Sequence, residues 1–105
     1  RNETTLPTQS LFLLNSDFLI EQSQAFARVV LNDTKLKETD RINLAYQRAF
    51  NRVPESFELQ RTLTLLQDLD QSLQSEISQT EQRQLVVWST LCQALLTTSE
   101  FRYVD

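Results

Sequence analysis

Glycine is missing from this chain altogether, and so is histidine. Glycine supplies the positive-φ backbone that tight β-hairpins and many loops depend on, so its absence argues against a β-rich fold. Without histidine the chain lacks the commonest general base and the commonest transition-metal ligand. The single cysteine, Cys92, rules out an internal disulfide, a cysteine-cluster metal site and a Cys-x-x-Cys-His haem attachment. Proline occurs twice, and no apolar cluster exceeds the four residues 11–14, far short of a membrane span. No signal-peptide pattern is read in these residues, and the opening on Arg1 without a starting methionine is read as a piece cut from a longer protein, whose targeting information is expected to lie upstream.

What is present is helix-forming. Gln, Leu, Glu and Ala are abundant, and apolar residues make up 40% of 105 residues, enough for one domain with one core. The net charge of −4 does not favour nucleic acid or an anionic membrane as partner. It is unevenly spread: residues 35–52 carry five basic and two acidic groups, residues 55–81 six acidic groups and one Arg.

Apolar spacing predicts an all-α fold: a compact bundle of four main helices in a single domain, residues 1–105. The first helix follows Ser16, a hydroxyl N-cap, with Asp17 suited to the dipole of the first turn. Phe18, Gln22, Ala25, Phe26 and Val29 are placed on its buried face, and residues 11–14 form a short lead-in. Gln22 is expected to lock onto that lead-in, since a buried amide left unpaired costs about 1–3 kcal/mol. The second helix, 39–50, buries Ile42, Ala45, Tyr46, Ala49 and Phe50, with Asn51 as a left-handed cap. Pro54 breaks the chain. The third helix then starts at Glu55 or Ser56 and buries Leu59, Leu63, Leu66 and Leu73, with Leu69 beside them; residues 71–82 read as a frayed end and a linker. The fourth starts near Ser78 or Thr80, with Ser78 and Glu81 as a capping box, and buries Leu85, Trp88, Leu91, Cys92, Leu95 and Leu96. Thr97-Thr98-Ser99 is expected to end it, leaving residues 101–105 as an aromatic tail folded back on the bundle.

Few residues invite chemistry. Cys92 lies on the apolar stripe with no base to activate it, and Lys35 and Lys37, the only lysines, sit in a polar loop away from any nucleophile. Asp68 and Asp70 point to different sides of a helix, and Glu55 and Glu58 fall in a first turn; all four read as solvated or dipole-serving carboxylates. No catalytic, cofactor or metal residue is therefore assigned, and no enzyme is expected. The one surface pattern is Arg41, Arg48 and Arg52, seven and four apart, which align at about 100° per residue on one edge of the second helix. Such a stripe suits a carboxylate-bearing partner or phosphates, or simply pairs with the acidic third helix. No aromatics interleave it, which speaks against nucleic acid.

Three blocks carry a family likeness. The first is Leu11-Phe12-Leu13-Leu14-Asn15-Ser16 with Phe18 and Glu21-Gln22. The second joins Arg41-Ile42, Ala45-Tyr46, Asn51-Arg52-Val53-Pro54 and Glu58-Leu59. The third is Trp88, Leu91-Cys92-Gln93-Ala94-Leu95-Leu96 and Ser99-Glu100-Phe101-Arg102-Tyr103-Val104-Asp105. Together they resemble the C-terminal domain of unknown function of large planctomycete proteins, many of which carry a cytochrome-c-type haem domain near their N-terminus. The chain departs from that family's pattern at Asn51, where Gly is usual, at Asp17 and Ser56, where Pro is usual, and at Thr98 or Ser99, where Asn is common. The resemblance implies the C-terminal part of an exported or periplasmic protein, with any haem held by another domain. It implies no activity. The expected function is a structural or interaction module that docks on the upstream domains of its own parent chain. The alternatives are a binding domain for a glycan or other polar ligand through Arg41, Arg48 and Arg52, or one wall of an active site shared with upstream domains.

Overall fold

The computed structural model describes the backbone of residues 17–104 and the side chains of residues 17–98. Among the described residues there are four helices and no strand: α1 (Asp17–Leu31), α2 (Glu38–Phe50), α3 (Ser56–Leu73) and α4 (Thr80–Val104). The expectations for Ser16 as a cap and for the lead-in 11–14 lie outside the described residues.

Side-chain neighbours give the topology. Arg28 and Leu31, late in α1, share a cavity with Thr80 and Leu85 at the start of α4, whereas Gln22 lies near Leu96. α1 and α4 are therefore antiparallel. Arg41 meets the start of α4 and Arg48 meets Leu96, so α2 runs parallel to α4. α3 runs back again, with Glu58 near Leu95 and Asp70 bonded to Arg83. The bundle is up-down-up-down. α4 packs on all three other helices, while the α1 and α3 backbones do not approach each other closely, so α2 and α4 lie on the short diagonal.

That central place explains why α4 buries so wide a face. Val87, Trp88, Leu91, Cys92 and Leu95 are all inside, joined by Ile42, Ala45, Tyr46, Leu66, Ala27 and Val30 in one core. The apolar stripes expected for α2, α3 and α4 pack on the core, except that Leu96 is only partly buried and lines the groove beside α1; Val87 and Thr62 are buried without having been anticipated.

α1 differs. Its buried residues are Leu19, Ser23, Ala27 and Val30, one position round from the expected stripe. Phe18, Gln22, Ala25 and Val29 are exposed and Phe26 lies at the boundary. The helix is apolar on two sides, so spacing alone does not choose between them. Packing does: Ser23 and Ala27 are small and let the α1 backbone approach the bundle closely. The Ser23 hydroxyl is buried without penalty because it donates to the Leu19 carbonyl at 2.8 Å.

Boundaries follow local hydrogen bonds. Lys37 N–H donates to the Asp40 carboxylate at 3.3 Å and Glu55 N–H to Glu58 at 2.9 Å, each carboxylate reaching back over its helix start. α4 makes its first helical bond from Arg83 N–H to the Gln79 carbonyl. Ser78 therefore stands two residues before the first helical residue, one step outside the cap position expected for it. The other end is also corrected: α4 runs through residues 97–99 to Val104, where a turn-back had been expected. Thr98 turns its hydroxyl onto the Ala94 carbonyl at 2.9 Å, bonding within the helix instead of ending it.

Asn51 closes α2 in the left-handed region, φ 60° and ψ 33°, with its N–H on the Gln47 carbonyl at 2.9 Å. A Cβ is strained there. Asn51→Ala is expected to cost about 1 kcal/mol, and Asn51→Gly to be neutral or stabilising. Urea midpoints of the two variants check this; an alanine variant as stable as the glycine one would contradict the cap.

Candidate functional site

The expected single edge does not hold: Arg41 and Arg48 lie on α2, but Arg52 stands two residues past its end, beyond the left-handed Asn51, where helical register no longer applies, and the three do not form a single site. Arg41 lines a cavity of about 570 Å³ at the α1–α2 turn. Arg48 borders a groove of about 290 Å³ beside α1. Arg52 lines a cleft of about 220 Å³ between α2, α3 and α4. Each guanidinium meets a different neighbour because three helices surround α2.

Arg52 is fully engaged. Its Nη1 and Nη2 donate to the two carboxylate oxygens of Glu58 at 2.7 and 2.9 Å, and Nη1 also donates to the Val53 carbonyl at 3.1 Å. The same guanidinium lies 5.8 and 5.5 Å from the Tyr46 and Phe50 ring centres, a cation–π arrangement. Tyr46 in turn shares a hydrogen bond with the buried Thr62 hydroxyl at 3.4 Å. This knot ties the end of α2 to the start of α3 across Pro54.

The Arg52 fork and the Glu55 N–H pull the Glu58 carboxyl down from its ordinary value of 4.5 to about 2. A lowered folded-state value means Glu58 stabilises the fold fully above pH 4.5, and that contribution drains away as pH falls toward 2. Glu58→Gln is therefore expected to flatten the stability profile across this acid window while leaving its shape at neutral pH unchanged. Urea midpoints of both proteins from pH 2 to pH 7 measure it. Parallel acid slopes would contradict the pairing.

Asp70 was read as a solvated carboxylate, and the structure places it otherwise. It accepts from Arg83 Nε at 2.6 Å, from Gln84 at 3.2 Å and from Gln74 at 3.3 Å. Arg83 also donates to the Ile77 carbonyl at 3.0 Å. Hydrogen bonding to Arg83, first of all, lowers the Asp70 pKa. The clasp joins the end of α3 to the start of α4, thirteen residues apart, a distance at which no helical periodicity connects two side chains.

Cys92 is buried, and burial pushes its thiol up to about 12, so it stays protonated at neutral pH. Among the described residues, no group of three or more Asp, Glu, His or Cys gathers to hold a metal ion. Nor, among them, is any helix long and apolar enough to cross a membrane.

The feature that sequence reasoning placed inside and the structure leaves outside is the outer face of α1. Phe18 is 52% exposed and Val29 45%, with Ala25 exposed between them. At positions i, i+7 and i+11 they share one side of α1, with the exposed Gln22 at i+4; Gln22, Ala25, Phe26 and Val29 line the groove with Leu96 and Arg48, and Phe18 lies further along the same side. The only warning in the sequence was the second apolar face of α1 itself.

A family model described as PSD1, Protein of unknown function (DUF1553), matches residues 1–66. The match takes in α1, α2 and α3 as far as Leu66, and leaves α4 outside. No curated protein and no solved structure matches the chain.

Proposed function

This chain belongs to the DUF1553 family of proteins of unknown function, and on that premise we propose that it is a non-catalytic docking module whose partner is the rest of a longer parent chain. The observation that carries this is the apolar strip Phe18, Ala25 and Val29, which α1 turns to solvent after burying its opposite face. Large apolar side chains left exposed along one face of a small domain, here Phe18 and Val29 with Gln22 and Ala25 between them, are characteristic of surfaces that other protein covers. Arg48 at the edge of the groove adds a fixed positive charge, so the matching surface is apolar with a carboxylate at its rim.

The chemistry of the interior supports a binding role over a catalytic one. The one thiol is sealed in the core, and Glu58 and Asp70 are each occupied by an arginine. A single polar-ligand site spanning Arg41, Arg48 and Arg52 has less support, because the three open on separate cavities. The proposed parent is an exported protein of the kind the sequence resembles, with this domain at its C-terminal end. Calorimetric titration of the chain with the separately expressed remainder of its full-length protein tests the proposal. Saturable heat with one-to-one co-elution is expected; no heat and separate elution would refute it.

A further inference from the structure

The turn from α1 to α2 and the first turns of α4 border the cavity of about 570 Å³, which is open to solvent on one side. Its wall combines Leu31 and Leu85 with Arg28, Arg41, Glu81 and Gln84. Arg41 is held from one side, where its Nη2 donates to the Asp33 carbonyl at 3.2 Å. Its Nε is buried with no hydrogen-bond partner, and no described carboxylate lies within ion-pairing distance. Arg28 has neither a hydrogen bond nor an ion pair with any described residue. This contrasts with Arg52 and Arg83, which the fold neutralises with Glu58 and Asp70. α4 also opens on the cavity. Its first helical bond comes from Arg83 N–H, so the N–H groups of Thr80 and Glu81 have no intrahelical acceptor and add positive potential.

We propose that this cavity binds a small monocarboxylate, with Arg28 and Arg41 meeting the carboxylate and Leu31 and Leu85 meeting an apolar body. Two guanidiniums against the one carboxylate of Glu81 leave a single positive charge on the wall, which matches a monoanion and not a phosphate dianion. The volume lies within the range of about 300–1,000 Å³ typical of small-molecule sites. The apolar leucines give the ligand's carbon skeleton a surface that inorganic anions would not use. The site is distinct from the docking strip of α1, which opens on the groove beside Arg48.

The probe is phenylacetate, titrated into the ¹⁵N-labelled chain and followed through the amide signals of Thr34, Gln84 and Leu85. Saturable shifts at these amides are expected. Phenylacetamide, the same size without charge, and inorganic phosphate are each expected to bind at least about tenfold more weakly. Arg28→Gln and Arg41→Gln should each weaken phenylacetate about tenfold with unchanged circular dichroism. If Arg41→Gln unfolds, Arg41→Lys replaces it, keeping charge but losing the planar fork, and should still weaken binding. No saturable shift, equal binding of the amide or of phosphate, or undiminished binding by Arg28→Gln would overturn the proposal.

Discussion

Trp88→Ala is expected to destabilise the chain by about 3–5 kcal/mol, the usual range for removing a buried indole. Trp88 has no exposed surface and sits on the helix that touches all three others. Emptying that position removes packing at the centre of the core formed with Ile42, Leu66, Val30 and Cys92. Domains of this size are stable by about 5–15 kcal/mol, so the variant should be close to unfolding at room temperature. Trp88→Phe keeps an aromatic ring and should lose less, about 1–3 kcal/mol. In the unsubstituted domain the indole emission should be blue-shifted when folded and move red in urea. Urea unfolding followed by circular dichroism ranks the three proteins. A loss under about 1 kcal/mol for Trp88→Ala would contradict the central place of α4.

Phe18→Asp and Val29→Asp, made together, are expected to weaken association with the remainder of the parent chain by about a hundredfold, or roughly 2.7 kcal/mol. Both side chains are about half exposed on one side of α1; Val29 lines the groove with Arg48 and Leu96, and Phe18 lies further along the same side. A carboxylate placed there stays in water in the free domain but has to be desolvated in a complex. Losing the half-buried part of each side chain should cost the free domain about 1–3 kcal/mol in all, so it remains folded, as circular dichroism checks. Val86→Asp is the control: it is also exposed, on α4, away from that groove, and should leave association intact. Equal weakening by the control would mean that charge alone, and not the strip, governs binding.

Where a helix has one apolar face, its role was legible in the chain. Ile42, Ala45 and Tyr46 recur at helical spacing with no competing stripe, and they are buried. Asn51 marked its own helix end, because few residues other than glycine accept a left-handed backbone and asparagine is one. Trp88, Leu91, Cys92 and Leu95 followed the same logic. α1 was not legible in this way. Phe18 and Val29 are as apolar as Leu19 and Val30, and what decides between the two faces is how closely Ser23 and Ala27 allow neighbours to approach, a property of the assembled bundle. The docking strip was consequently read as core.

The electrostatic contacts divide along the same line. Pairing between the basic edge of α2 and acidic α3 was among the expectations, and Arg52 with Glu58 is an instance, six residues apart across a proline break. Asp70 with Arg83 needed the antiparallel return of α4 to bring them together. Arg28 was never singled out, because a cation in a last helical turn suits the helix dipole and asks for no further explanation until the cavity around it is seen.

Docking through α1 is tested most directly by hydroxyl-radical footprinting of the chain by itself and within its full-length protein. Phe18 and Val29 are predicted to react readily in the isolated chain and to be protected several-fold in the full-length protein, with Phe57 and Val86 reacting equally in both. Equal reactivity of Phe18 and Val29 in the two settings would contradict a docked α1 face.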